Sequence, residues 1–296
     1  MDKTTMPRAM AVEEARITIV GLGLMGGSLA AALKARYPRQ EVSGVARRAE
    51  TAQRAVERGL VDRASTELAP VVAEADIVVL ATPVRTIMDL LPQVGQVARM
   101  GCLVMDLGST KAAITQAMSN LPEHVQPVGG HPMCGKETSG LDAAEPGLYQ
   151  GRVFVLTPLQ RTSAGALSLA TGLVEAVGGC PLVLDAERHD RLVAIVSHLP
   201  YLLACGLVGT AEQVSQGEDA LWPLAASGFR DTSRLAASDV TMMLDILLTN
   251  REMVLEALSM CRGHLRHLAD LVGKGDQEGL HTVLTGIRER RKGMFV

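Results

Sequence analysis

Aromatic residues are scarce in this chain: one Trp, three Tyr and three Phe, or 2% of 296 residues. All-β sandwiches lean on aromatic and β-branched side chains, so this poverty argues for α/β or helical packing. Cysteine is also sparse. The five (102, 134, 180, 205 and 261) form no C-x-x-C pair and are odd in number, which excludes a disulfide framework. With no secretory leader pattern at the N-terminus, reduced thiols in a cytoplasmic setting are expected. Charge of neither sign dominates. A formal net charge of −3 gives no general footing for nucleic acid or an anionic membrane surface. No membrane span is expected, and residues 1–15, polar and unpatterned, are expected to form a loose tail.

What is present is an alternation of apolar strands and Ala/Leu-rich helices. Strands are expected over Arg16–Val20, Glu41–Ala46, Asp76–Ala81, Cys102–Asp106, Val125–Val128, Val153–Thr157 and Leu182–Leu184. Between them fall helices over Ser28–Arg36, Thr51–Arg58, Arg85–Leu91, Ala112–Met118 and Ala164–Val177. This order implies an α/β, doubly wound parallel sheet with right-handed crossovers. After about Asp185 only helical periodicity remains. Two units follow: a dinucleotide-binding domain over 1–185 and a helical substrate and dimerisation domain over 186–296. The apolar surplus at Met242, Met243, Leu244, Ile246, Leu247 and Leu248 exceeds what one helix face needs, which suggests burial against a second subunit.

Gly21-Leu22-Gly23-Leu24-Met25-Gly26 is a complete G-x-G-x-x-G between the first strand and first helix. Glycines there permit a tight turn and close approach of backbone to a pyrophosphate, which the helix N-terminus then holds. Thr82 and Pro83, closing the strand over 76–81, belong to the same cofactor edge. An NAD enzyme usually presents an acid about 20 residues past the motif. Here Ala46 stands there, followed by Arg47 and Arg48. Two guanidiniums and no carboxylate suit the 2′-phosphate of NADP, with NAD as the alternative cofactor; a solvated basic turn is the bland reading.

Two further segments carry chemistry. Asp106-Leu107-Gly108-Ser109-Thr110-Lys111 follows a strand, which puts Ser109 at the carboxyl edge of the sheet. Gly130 to Gly140 offers His131 in a glycine-bounded, proline-stiffened loop. Together Ser109 and His131 form a candidate hydroxyl–imidazole pair for taking a proton from an alcohol as its carbon loses hydride. Structural alternatives stand beside this: Ser109 as N-cap of the helix at 112–118, and His131 as a satisfied loop histidine. Pro200, inside an apparent helix, is expected to kink it. Neither a Cys134 nucleophile nor a metal site at His264 and His267 is expected.

The motifs at Gly21–Gly26, Asp106–Lys111, His131–Gly140, His189-Asp190-Arg191, Ser197-His198-Leu199-Pro200 and Gly228–Arg234 occur in one order. In them the chain resembles the prephenate/arogenate dehydrogenase family of tyrosine biosynthesis. The resemblance implies a Rossmann-type domain followed by a helical dimerisation domain. It implies oxidative decarboxylation of prephenate, a cyclohexadienol with two carboxylates, to 4-hydroxyphenylpyruvate with hydride transfer to NAD(P)+; arogenate is the alternative substrate. By resemblance His131 accepts the hydroxyl proton, Ser109 orients the hydroxyl, and Arg234 binds a carboxylate with Arg230 on the same face. Ser197, His198 and Tyr201 fall at substrate positions. Glu137 and Asp231 fall in an ionic network at the site entrance, a surface pair being the alternative. Tyr201 stands where the family often has histidine, and Met243 where it commonly has a tryptophan reaching in from the partner subunit. A β-hydroxyacid dehydrogenase shares the glycine opening but needs a K-x-x-x-N helix that this sequence lacks. A non-catalytic NADP-binding regulator would not retain Ser109, His131 and Arg234.

Overall fold

The computed structural model describes residues 10–136 and 138–294. Its N-terminal half alternates β1 (Ile17–Val20), α1 (Leu24–Arg36), β2 (Val42–Val45), α2 (Ala49–Glu57), β3 (Arg63–Ser65), α3 (Leu68–Val72), β4 (Ile77–Leu80), α4 (Val84–Val97), β5 (Leu103–Asp106), α5 (Ala112–Ser119) and β6 (Gln126–Pro132). After β6 come β7 (Val153–Pro158), α6 (Ala164–Ala176) and β8 (Cys180–Val183). One sheet holds all eight strands in the order β3-β2-β1-β4-β5-β6-β7-β8.

The sheet is parallel from β3 through β6, but β7 runs antiparallel to β6 and β8 follows β7. Expectation and structure differ here. Gly129-Gly130-His131-Pro132 reads as turn punctuation, yet it forms the end of a seven-residue strand, with His131 opposite Val155. Two bonds outweigh the local preference: the ladder to β7, and the Asp106 carboxylate accepting the Gly130 N–H at 3.0 Å. Short β3 and α3 also escaped the pattern; β3 is a polar edge strand, and α3 has Pro70 inside it. The loose-tail expectation fails at its end, because Val12 and Ala15 are buried. Residues 1–9 lie outside the described residues.

Strand alternation sorts the core onto two faces. Ile17, Ile19, Ile77, Val79 and Met105 point to the side covered by α1 and α6, while Val20, Val78, Leu80 and Val104 meet α4 and α5. Burying each such aliphatic side chain is worth about 1.5–3 kcal/mol, so the sheet centre is the stable platform of the molecule.

The remainder is helical: α7 (Ala186–Val193), α8 (Leu199–Ser215), α9 (Leu221–Leu224), α10 (Ser227–Ser233), α11 (Val240–Thr249), α12 (Arg251–Lys274) and α13 (Gln277–Gly293). Where a kink was expected at Pro200, the chain instead widens by one turn. Over Ala194–His198 the Leu199 N–H reaches back to the Ala194 carbonyl, five residues away, and Pro200 needs no donor. The continuous run Ala186–Ser215 has an 18-residue window of mean hydropathy 1.9. By length and composition alone it is long and apolar enough to cross a membrane, a test that the core helix of a soluble protein also passes. The core of the helical segment is small, built on Ala194, Val254 and Ala257. Leu203, Leu244, Leu248, Leu255 and Leu265 remain exposed.

A polar seam joins the helices to the sheet. The Arg85 amide at the start of α4 donates to the Asp245 carboxylate at 3.3 Å, and Thr110 and Thr249 share a hydroxyl hydrogen bond of 2.8 Å. Asn250 Nδ2 donates to the Asp190 carbonyl at 2.7 Å and faces His198 Nδ1 at 3.3 Å. His198 is buried and therefore acts as an acceptor towards Asn250. Burial is the main cause that brings its imidazole down to about 4, against the opposing pull of Asp190.

A depressed histidine stabilises the fold fully above its unfolded value near 6.5, and that stability drains as pH falls towards 4. Acidification across this window is expected to cost on the order of 3 kcal/mol through His198. Denaturant melts at stepped pH check it: His198→Asn, which keeps an acceptor towards Asn250 but cannot titrate, should show a visibly shallower loss.

Candidate active site

The turn from β1 into α1 is shaped for a dinucleotide. Gly21 has φ +103°, and a Cβ there would lie 2.7 Å from the Ala81 carbonyl oxygen. At Gly26 a Cβ would sit 2.0 Å from the Gly21 carbonyl, so no larger residue fits. Helix α1 starts at Leu24 with Gly23 as N-cap and no side chain on its first amides. Those donors are left for a phosphate. Its first turn is fixed from behind by the buried Tyr149, whose hydroxyl donates to the Met25 carbonyl at 2.7 Å. Beside Gly21, the Thr82 hydroxyl is buried with no hydrogen-bond partner, and exposed Pro83 follows. An orphaned hydroxyl against a bare helix N-terminus fits a bound dinucleotide. Arg47 and Arg48 follow buried Ala46 on the surface beyond β2, and their guanidiniums make no hydrogen bond or ion pair among the described residues.

At the carboxyl ends of β5 and β6 the catalytic candidates meet. His131 Nδ1 is 2.8 Å from His189 Nε2, and His189 Nδ1 is 2.8 Å from Asp190 Oδ1. Both His189 and Asp190 are buried. The Asp190 carboxylate also accepts the backbone N–H of Lys111 at 2.7 Å and of Ala112 at 2.9 Å. It therefore caps α5, a role that Ser109 had been the candidate to fill. The Ser109 side chain makes no hydrogen bond among the described residues and is half-buried, leaving its hydroxyl available.

The charge beneath His131 is a fully buried pair. Lys111 Nζ contacts the Asp106 carboxylate and donates to the Gly130 carbonyl at 2.6 Å. Asp106 in turn accepts the Gly108 and Gly130 amides at 2.7 and 3.0 Å. Burial pulls the Lys111 ammonium below its ordinary range, while Asp106 opposes this. For His131, burial first, and then the charges of His189, Lys111 and His198, hold the imidazole well below 6.5. It is neutral at neutral pH, as a proton acceptor must be. Cys134, its near neighbour in sequence, is pushed up to about 11 by burial and is no nucleophile.

The other sequence candidates scatter. His198 is buried in the seam, whereas Ser197 is exposed and Tyr201 half-buried. Arg230 and Asp231 form a 3.6 Å ion pair with each other, both largely exposed. Arg234 is exposed in the turn after α10. Glu137 lies outside the described residues. Met243, expected at a subunit boundary, is buried within the protomer. Sequence reasoning missed His189, Asp190, Lys111 and Asn250 as members of the site. The run His189-Asp190-Arg191 was visible as a motif, but nothing local in it names His131 as a partner 58 residues away.

Comparison with known proteins gives the same picture. Residues 29–182 match the family described as "Prephenate dehydrogenase, nucleotide-binding domain", and residues 185–286 match "Prephenate dehydrogenase, dimerization domain". A prephenate dehydrogenase of Lactococcus lactis is 34% identical over 284 residues, spanning 95% of this chain and 78% of that protein. The structure of a prephenate dehydrogenase from Aquifex aeolicus, in complex with hydroxyphenyl propionate and NAD+, superposes with a TM-score of 0.89. It has 32% identity and covers 97% of this chain and 99% of its own. An arogenate dehydrogenase from Synechocystis superposes at 0.83 with 32% identity, covering 94% and 99%. The chain belongs to the prephenate dehydrogenase family, NAD(P)-dependent oxidoreductases.

Proposed function

We propose that this chain oxidatively decarboxylates prephenate to 4-hydroxyphenylpyruvate in tyrosine biosynthesis, using NADP in preference to NAD. One observation carries the reading: His131 is neutral, its Nδ1 is engaged by His189, and no hydrogen bond among the described residues engages its Nε2 at the carboxyl edge of a dinucleotide fold. A bound nicotinamide supplies the acceptor for hydride from the carbinol carbon. His131 Nε2 takes the hydroxyl proton, and the Ser109 hydroxyl orients that group. As carbon dioxide leaves, the electron pair of the broken C–C bond enters the ring, which becomes aromatic. The proton held on His131 returns to the ring oxygen, so the site ends as it began. Aromatisation drives the reaction, and the protein's work is positioning and one proton transfer. Arg234, with Arg230 nearby in sequence, supplies positive charge for the substrate's carboxylates, and the family resemblance assigns Ser197, Tyr201 and Asp231 to its surroundings; His198 acts from the seam behind them.

Residues 1–185 form the cofactor-binding unit in this reading, and 186–296 the substrate and dimerisation unit. The exposed leucines of α8, α11 and α12, in the segment that matches a dimerisation domain, support a homodimer. A pairing surface also accounts for the apolar run Ala186–Ser215. Five free thiols suit a reducing cytoplasm.

Purified protein assayed with prephenate and with arogenate, each with NAD and NADP, tests the activity; turnover of neither substrate would overturn it. His131→Asn is expected to lower kcat by about 100-fold or more. Because His131 must be unprotonated and its free-enzyme value is depressed, kcat/KM for the wild type should hold as pH falls through 6.5. It should drop only well below that. For the cofactor, replacing Arg47 and Arg48 together by Ala should raise KM for NADP about tenfold or more and leave KM for NAD nearly unchanged, losing charge-assisted bonds to a 2′-phosphate. An unmoved ratio would remove the NADP preference from the reading. Light scattering should give twice the 31.4 kDa chain mass, and Leu248→Glu with Leu255→Glu should shift it towards one chain.

A further inference from the structure

We propose that Asp190, acting through His189, is the positioning residue that fixes which nitrogen of His131 carries the proton, and that it does so across the seam between sheet and helices. This rests on His131 being the proton acceptor.

The argument is one of counting donors. The Asp190 carboxylate has only acceptors to offer, and it faces three groups: the Lys111 N–H, the Ala112 N–H and His189 Nδ1. His189 must therefore carry its proton on Nδ1. A neutral His189 then presents a lone pair at Nε2, 2.8 Å from His131 Nδ1. That contact is a hydrogen bond only if His131 donates from Nδ1, which leaves His131 Nε2 without a proton. The chain of assignments has one consistent solution while both rings are neutral. Reversing any member makes His131 a donor at Nε2, unable to take a proton from an alcohol.

The same carboxylate is held by the first amides of α5, the helix that follows Ser109. Asp190 itself lies on α7, and its carbonyl accepts from Asn250. Docking of the helices on the sheet and preparation of the base are thus one event. A displacement of α7 would uncap α5 and release the tautomer together.

Asp190→Ala is the informative change, with Asp190→Asn as its control. Oδ1 accepts from both the Lys111 N–H and His189 Nδ1, whereas Oδ2 accepts from the Ala112 N–H. An asparagine therefore satisfies most donors with its amide oxygen at the Oδ1 position, which keeps the His189 tautomer and leaves only the Ala112 amide unpaired. Alanine removes the acceptor altogether, so His189 can protonate at Nε2, donate to His131 Nδ1 and move the His131 proton to Nε2. The full-length protein with Asp190→Ala should lose about 100-fold or more in kcat on prephenate, and Asp190→Asn about tenfold at most. KM for prephenate and for the dinucleotide should stay within about threefold in both. His189→Gln, whose amide oxygen can still accept from His131 Nδ1, should lose roughly tenfold at most.

A readout independent of turnover is the 15N shift pair of His131 in the ligand-free protein. It should report Nδ1–H in the wild type, in His189→Gln and in Asp190→Asn, and a substantial Nε2–H population in Asp190→Ala. The proposal is overturned if the wild type shows Nε2–H, if Asp190→Asn and Asp190→Ala lose kcat equally, or if Asp190→Ala keeps kcat within tenfold. Should Asp190→Ala fail to fold, the wild-type shifts and the other two variants still decide. If the wild type turns over neither substrate, the proposed function fails, while the shifts still judge the tautomer.

Discussion

A single buried carboxylate, that of Asp190, ties this molecule together. It accepts two backbone amides from α5 and one imidazole N–H, and its own backbone carbonyl accepts from Asn250. A carboxylate buried this deeply without hydrogen-bond partners would be costly. Three donors aimed at it change the balance, because charge-assisted hydrogen bonds are roughly twice as strong as neutral ones. The reverse also holds: without Asp190 two helix amides and one imidazole would be buried unsatisfied, at about 1–3 kcal/mol each. Asp245 repeats the arrangement at α4 through the Arg85 amide, less buried and with longer contacts. Both helices that flank the substrate edge of the sheet are thus held at their N-termini by acids from the helical segment.

The second constraint is the Lys111–Asp106 pair, fully enclosed at the ends of β5 and β6. Buried ion pairs seldom repay their desolvation with stability alone. This one also fixes geometry, because Asp106 gathers the Gly108 and Gly130 amides while Lys111 takes the Gly130 carbonyl. Those contacts straighten a glycine pair into strand and deliver His131 at its end. The contacts that hold the buried pair thus also place His131.

The sequence was most legible where function needs a local conformation. Gly21 and Gly26 announce themselves because no other residue fits their surroundings, and the strands of the central sheet because each is an unbroken apolar run. His131 and Ser109 were legible as candidates for chemistry. The strand that carries His131 was not, because its pairing with Val155 is settled by β7, whose reversed direction no local pattern encodes. His189 and Asp190 stood out as a motif without a role. Their meaning lies in contacts to residues 58 and 79 positions away, and hydrogen-bond partners at that distance leave no periodic signature. The cap alternative for Ser109 fails for the same reason: it has the right residue type, but a better-placed carboxylate arrives from another element.

In the proposed mechanism these constraints let one histidine meet two opposed demands. In the free protein it must stay unprotonated, and burial together with the charges of His189, Lys111 and His198 ensures this. In the complex it must take a proton readily, which calls for higher proton affinity. A substrate carrying two carboxylates reverses the local field as it binds, since negative charge nearby favours the imidazolium. The hydrogen bond to His189 gives the same help, because an Asp190-backed imidazole stabilises positive charge on its neighbour. The base is thus weak until its substrate arrives and stronger afterwards. That ordering explains why so acid-resistant a histidine can still serve as an acceptor, and why its partners had to be buried rather than left to water.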